Sequence, residues 1–385
     1  MTDLPIPLRV VCREWGRIGL TGFGGPPTHI AMLRRLVVQD RGWLAADEFE
    51  AANAACNLLP GPASTQLAIL CAHRVGGRRG AVIGGLAFII PAVVIVLALS
   101  RLFLASSPPL WVRGASAGAG SAIAAVAVAA AWGLLRPSWR RALNADAFRR
   151  QRWLAYVALG GAAAALLGPY LVLVLLACGL IEVSWRRPVA GVHGAPLLLV
   201  GAASGAVAVG GLLALSWVAI KVGTLSYGGG FVIVPLMQRD AVHTYHWMTA
   251  AQFLDAVTLG QVTPGPVVAT IAAVGYAAHG LVGGLLAATI AFTPSFLFIL
   301  LGARHFQRLR ESARAQAFLE GAGPAAIGAI LGSAIPLAQA LSHGWQFGLL
   351  GFAAAWLLLG HRGVLETLLG AGAIGVVAAV VGVPV

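Results

Sequence analysis

The stretch AVTLGQVTPGPVVATIAAVGYAAHGLVGGLLAATIAFTPSFLFILLGA, residues 256–303, contains no Asp, Glu, Lys or Arg. It runs well beyond the roughly 20 apolar residues that cross a bilayer core. Other runs of the same kind are Gly80 to Ser100, Gly114 up to Arg136, Trp153 to Ile181, Gly194 to Ile220 and, apart from Glu366, Gly363 to Val385. The whole chain is 59% hydrophobic and only 10% charged, against about 25% charged in a typical soluble domain. A water-soluble chain of this composition would lack the polar surface to cover itself. The 50 glycines suit helices that approach closely in lipid, where small residues make the interface. The expected fold class is an all-α integral membrane protein.

The formal net charge is +13, and the single lysine is Lys221. The arginines fall in short loops between apolar runs. That placement suits the cytoplasmic face of a membrane protein rather than a nucleic-acid surface, so no nucleic acid is expected as a partner. No P-loop occurs, so an ATP-driven pump would need a second protein. Residues 1–9 do not read as a secretory signal. Cys12, Cys56, Cys71 and Cys178 show no metal-binding spacing and read as packing residues. Neither a metal nor a cofactor is expected.

The quoted run has a counterpart. Offset by 204 positions, residues 19–66 lie on 223–270 without a gap, and 12 of the 48 positions are identical. These include Trp43 on Trp247, Phe49 on Phe253, and Pro60-Gly61-Pro62 on Pro264-Gly265-Pro266. After one deletion the register continues, with Pro91 on Pro294 and Arg101 on Arg304. Two homologous halves follow, 1–190 and 195–385. Charge indicates their relative direction. In the first half, Arg74, Arg78 and Arg79 precede one span, and Arg136, Arg140, Arg141, Arg149, Arg150 and Arg152 follow the next. The matching loops of the second half, 278–284 and 341–346, carry no Arg or Lys; its basic cluster, Arg304, Arg308, Arg310 and Arg314, lies between them. The basic loops have changed places, as an inverted-topology repeat requires. An extra crossing must then separate the halves; Ala195–Gly211 is the expected one, for about 12 to 13 membrane segments in all.

Each half contains two interruptions of an apolar segment. Gly22-Phe23-Gly24-Gly25-Pro26-Pro27 answers to Ser226-Tyr227-Gly228-Gly229-Gly230, and Leu59-Pro60-Gly61-Pro62 to Thr263-Pro264-Gly265-Pro266. Glycine and proline break helices, and paired breaks in two inverted halves point to a transport site near the midplane. A helix restarts after each break, with free N–H groups and the positive end of its dipole, a setting that favours an anion. Thr28, His29, Asn57, Ser64, Thr65 and Gln66 surround the first-half breaks; Gln261, Thr263 and Thr270 surround the second-half one. These are neutral hydrogen-bonding groups, unlike the carboxylates of a cation site. The plain alternative is that the breaks are packing kinks whose Ser and Thr bond their own helices. Arg17 and Lys221, 204 apart, each stand about two turns before a glycine break; an intramembrane cation is a candidate to hold or guide an anion, or else it snorkels. Lys221 has no acidic neighbour in its own segment. Arg34 and Arg35 are candidates for an access path. His29, nearest a break, is the best candidate for a proton relay.

These residues resemble the chromate ion transporter family. Phe23-Gly24-Gly25-Pro26 with His29-Ile30-Ala31 and Arg34-Arg35, Trp43-Leu44, Phe49, and Leu59-Pro60-Gly61-Pro62-Ala63-Ser64-Thr65-Gln66-Leu67 look like its first-half signature. Lys221, Gly223, Tyr227-Gly228-Gly229-Gly230, Pro235, Trp247, Phe253 and Pro264-Gly265-Pro266 look like its second domain. The resemblance covers essentially the whole chain and corresponds to the long form with antiparallel halves. Asn57 departs from the pattern, where Gln is the more usual residue. The resemblance implies a secondary transporter that exports chromate across the bacterial inner membrane and confers resistance. Chromate is a tetrahedral dianion that only accepts hydrogen bonds, and an interior-negative potential of 100 mV drives each charge outward by about 2.3 kcal/mol. Sulfate has the same shape and charge, so a sulfate carrier is the alternative. An intramembrane enzyme is the remote one: no redox site is visible, and Ser64 has no base close in sequence. A second copy of the chain is a candidate partner, besides the oxyanion and the bilayer.

Overall fold

The computed structural model describes residues 6–57, 59–144, 146–167, 171–186, 211–226, 231–302 and 312–385. Their regular secondary structure is helical, with no strand among the described residues. The first half contains α1 (Leu8–Thr21), α2 (Pro26–Arg34, prolonged by a π-helical stretch Arg35–Asp40), α3 (Ala46–Cys56), α4 (Ala63–Phe103), α5 (Leu110–Leu143), α6 (Ala147–Ala162) and α7 (Leu171–Arg186). The second contains α8 (Leu212–Leu225), α9 (Ile233–Arg239, prolonged by a π-helical stretch Asp240–Thr244), α10 (Ala250–Val262), α11 (Thr270–Gly302, preceded by a 3-10 turn Val267–Ala269), α12 (Ala313–Gln339), α13 (Gly344–Leu358) and α14 (Val364–Val380). Both ends of α8 stand 204 positions after those of α1, and even the π-helical stretches recur.

The breaks turn out to be the tips of hairpins. Glu48 at the start of α3 pairs with Arg74, so the two limbs flanking Pro60-Gly61-Pro62 begin and end on the same side. Arg41 returns to Glu14 on α1 at 2.6 Å, and the Trp43 ring stacks on Trp15; residues 8–41 therefore also go in and come back. In the second half Asp240 returns to Lys221, and Gly260 lies against Thr270 across the Pro264-Gly265-Pro266 tip. α4 itself reverses once more. Gly76 and Gly77 leave helical geometry, Gly77 at φ 64° and ψ −160°, a region essentially reserved for glycine that costs a residue with a Cβ about 1–3 kcal/mol. The limbs 63–75 and 78–103 then lie face to face, with no room for a Cβ between Gly84 and Ala72. His279 and Gly280, at φ 62°, make the same reversal in α11.

The full-length limbs 78–103 and 281–302 cross as neighbours. Gly85 touches Phe296 and Leu97 touches Gly284, so position rises in one limb as it falls in the other. The halves are antiparallel, as the exchange of basic loops implied. Large apolar side chains remain exposed at Val82, Leu86, Ile90 and Val94, four residues apart on α4; this spacing makes one outward stripe, unfavourable in water and natural against lipid tails. Among the described residues, four stretches are long and apolar enough to cross a bilayer: Ala63–Phe103, Leu110–Leu143, Val267–Gly302 and Ala313–Gln339.

The remaining helices are exchanged. α6 and α7 pack on α12 of the other half, while α13 and α14 pack on α5. Gly114 and Gly118 of α5 meet Gly375 of α14, Gly160 and Gly161 of α6 meet Ala325 and Gly328 of α12, and Gly321 meets Cys178 of α7. Glycine at these crossings lets backbones approach where any side chain would hold them apart. α7 ends beside Arg152 at the basic side, and α8 begins at the opposite side. The crossing expected in Ala195–Gly211 lies outside the described residues, apart from Gly211, as do Arg304, Arg308 and Arg310.

Candidate functional site: four hairpin tips and a vestibule

The tips meet at the centre. The Gly265 N–H donates to the Gly22 carbonyl at 3.0 Å, joining the second-half PGP tip to the first-half glycine break. Gly265 also lies against the Gly19 carbonyl and Ala92. The relation is reciprocal: Gly61 lies against the Gly223 carbonyl, and Gly25 against Val267. Gly61 and Gly265 have φ of 109° and 93°, so glycine is needed here for backbone conformation as well as for space. Helix starts at Pro26, Ala63, Val267 and Ile233 follow the four breaks. The starts at Pro26, Ala63 and Val267 stand beside these contacts between the tips, each with free first-turn N–H groups and the positive end of its dipole. Gly228, Gly229 and Gly230 lie outside the described residues.

The first-half tips carry the polar groups. His29, Ser64, Thr65 and Gln66 are buried, with 0% exposure at His29, Thr65 and Gln66. His29 Nε2 lies 2.9 Å from the Gly22 carbonyl and Nδ1 lies 3.5 Å from Ser64 Oγ. The Phe88 ring meets the imidazole edge-on at 5.1 Å. Gln66 Nε2 donates to the Pro60 carbonyl at 2.6 Å, bracing the tip. Thr65 Oγ1 and Gln66 Oε1 have no hydrogen-bond partner among the described residues, and neither does Gln261 Nε2 at the end of α10. Buried polar atoms are normally satisfied, and orphans on both sides of the meeting point suit a polar ligand. Thr263 and Thr270, by contrast, give their hydroxyls to the carbonyls of Leu259 and Val267 on their own helical segments. The plain alternative therefore holds for this pair. Thr28 packs its hydroxyl under Gly24, and Asn57 donates back to the Asn53 carbonyl at 2.9 Å.

The cations are placed differently from the sequence reading. Lys221, without an acidic neighbour in its own segment, receives one from the fold. Its ammonium pairs with Asp240, both side chains being largely buried, and stands 5.8 Å from the Trp217 ring. The partner could not be read from α8 because it sits across the hairpin. Arg17 is exposed and lies 3.7 Å from Glu14. Arg34 pairs with Glu50 at 3.0 Å and Arg35 with Asp40 at 3.6 Å. None of these four is a bare charge awaiting an anion.

One feature had no signal in the sequence. A cavity of about 620 Å³ runs from Arg141 and Arg149 at the basic end to Asn57 beside the PGP tip, walled by α5, α6, α7 and α12. On its wall Glu182, 1% exposed, is gripped by the Arg152 guanidinium at 3.1 and 3.2 Å and by Tyr156 Oη at 3.1 Å. Arg149 pairs with Glu320 across the halves. The inverted counterpart, between α10, α5, the end of α12 and α13, measures about 180 Å³ and reaches Asp255.

Antiparallel halves, re-entrant hairpins and tips that meet in the interior define an inverted-repeat, multi-pass membrane protein. Residues 10–183 and 213–381 match the family profile described as chromate transporter, and the chain belongs to that family. It is 31% identical over 381 residues to the chromate transport protein of Cupriavidus metallidurans, covering 96% of this chain and 93% of that one. It is 27% identical to a probable chromate transport protein of Synechococcus elongatus, over 91% and 90% of the two chains. To the chromate transport protein of Pseudomonas aeruginosa it is 29% identical, over 84% and 79%. No solved structure matches the chain.

Proposed function

We propose that this chain is a secondary transporter that exports chromate across the bacterial inner membrane, by alternating access around the four hairpin tips. The observation that carries this reading is the meeting of helix N-termini from two inverted halves around buried donors without partners. An acceptor-only dianion supplies what Thr65 and Gln261 lack, and the dipole ends favour its charge. The family and the names of its relatives favour chromate as the anion. The vestibule supports the direction: the larger cavity opens on the side with the basic loops, which the positive-inside rule makes cytoplasmic. The interior-negative potential then drives a dianion outward without ATP. Ser64, Thr65 and Gln261, with the backbone around Gly24, Gly25, Pro26, Pro60, Gly61, Pro62, Pro264, Gly265 and Pro266, form the proposed site, and Gln66 braces its first PGP tip through the Pro60 carbonyl. Thr28, His29 and Asn57 border it. Lys221, held by Asp240, positions α8 rather than touching the anion.

The test is uptake of labelled chromate into sealed, energised everted vesicles containing the protein, with sulfate as competitor. Saturable uptake that collapses with the gradient supports export; stronger competition by sulfate than by unlabelled chromate moves the assignment to a sulfate carrier. No uptake in sealed vesicles overturns the chromate reading.

A further inference from the structure

The Gly22 carbonyl accepts two hydrogen bonds, from the Gly265 N–H at 3.0 Å and from His29 Nε2 at 2.9 Å. A carbonyl oxygen can only accept, and it has two lone pairs. The proton of a neutral His29 therefore sits on Nε2. The other nitrogen, Nδ1, is then an acceptor, and its hydrogen-bond partner among the described residues is the Ser64 hydroxyl, 3.5 Å away. In this state Ser64 turns its single O–H toward the imidazole and has only lone pairs left for any other partner. An oxyanion there would meet an acceptor where it needs a donor. When His29 takes a second proton, Nδ1–H becomes a donor. Ser64 must then accept from the ring, and its O–H is released to the start of α4.

We propose that His29 is the proton-binding site of this protein and that Ser64 transmits its charge state to the oxyanion site. This rests on the oxyanion reading above. Protonation converts Ser64 from acceptor to donor and adds a positive charge close by, so proton and oxyanion bind synergistically. By reciprocity, each strengthens the other by the same factor. The ring cannot swing away to break the relay. It has no solvent exposure, Phe88 holds it edge-on, and Gly22 leaves no space beside Cδ2. Ionisable groups on the surrounding elements have other partners: Glu14 on α1 takes Arg41 and Arg17, Arg34 on α2 takes Glu50, and Arg74 on α4 takes Glu48. Cys71 and His73 stand about two turns or more beyond Ser64. The Pro264-Gly265-Pro266 tip brings no ionisable side chain. The second half has no such relay, because Ile233 and Val268 occupy the matching positions.

The experiment is binding of selenate, a tetrahedral dianion that keeps both charges between pH 5.5 and pH 8 (roughly the span over which a histidine titrates), to the full-length protein in lipid nanodiscs. Wild-type affinity is expected to rise as pH falls, by up to about tenfold per unit for one linked proton, and then to level off. His29→Gln keeps a donor for Gly22 and should bind selenate with no pH slope. Nitrogen-15 NMR of histidine-labelled wild type gives a second readout that needs no variant: an Nε2–H tautomer at high pH and a titration shifted upward by selenate. Wild-type binding without pH dependence, a slope retained in His29→Gln, or a His29 titration indifferent to selenate would each overturn the linkage and leave the oxyanion site intact. Absence of selenate binding at every pH overturns the site reading itself, and the linkage with it.

Discussion

The two PGP tips share one backbone and carry different chemistry. Gly61 and Gly265 hold the same left-handed φ, both precede a helix start, and each packs on the first helix of the opposite half. Around the first tip stand His29, Ser64, Thr65 and Gln66; 204 positions on stand Ile233, Val268, Ala269 and Thr270. The hydroxyls of Thr263 and Thr270 are spent on their own helices, while those of Ser64 and Thr65 are turned to a histidine or left open. Symmetry in this molecule belongs to the scaffold, which must work from both sides of the membrane. In the proposed site, recognition rests mainly on the first half, with Gln261 as the contribution of the second.

The sharpest way to break this comparison is to attack the shared part. Gly61→Ala and Gly265→Ala should be equally damaging, because each puts a Cβ on a left-handed residue and against a carbonyl of the other half. Both are expected to abolish chromate uptake and to lower the melting temperature in detergent; a tolerated Gly265→Ala would mean the tips need not touch. The buried pair comes next. Lys221→Met strands Asp240 and should destabilise by about 3–5 kcal/mol, whereas the double change with Asp240→Asn should recover most of that in a thermal melt. A single change as harmless as the double would show the pair to be solvated.

Side-chain chemistry gives the third contrast. Thr65→Val should reduce uptake about tenfold or more, in line with the roughly 1–3 kcal/mol of an interaction to a charged group, and Gln66→Leu should reduce it by removing the brace on the Pro60 carbonyl, both at unchanged expression. Thr263→Val and Thr270→Val should change uptake less than about twofold. Equal losses in both halves would return the second tip to the site. Smallest of all is Arg17→Ala: an exposed pair is worth about 0–1 kcal/mol, so vesicle uptake and melting temperature should be close to wild type.

Much of this architecture is visible in the residues. The repeat is legible because it keeps Trp43, Phe49 and Pro60-Gly61-Pro62 in register, and the exchange of basic loops reveals inversion because arginine sidedness follows topology. Other features are not. Gly and Pro announce a break but do not say whether the chain continues or turns back; that depends on contacts such as Glu48 with Arg74, 26 residues apart. The partner of Lys221 is hidden for the same reason. Whether a threonine bonds its own helix or faces a ligand is a matter of rotamer and neighbours, so Thr65 and Thr263 look alike in sequence. The vestibule is a space between helices of two halves, and no single segment encodes it.

The exchange of α6 and α7 for α13 and α14 has a consequence for how the molecule is made. Each half ends by clasping the other, so cohesion does not depend on the covalent connection between residues 186 and 211. As the chain emerges, α6 and α7 must wait in the bilayer, glycine faces unmatched, until α12 has been synthesised. A chain cut within that connection should therefore still assemble when both pieces are made together, while either piece alone should be cleared by membrane quality control.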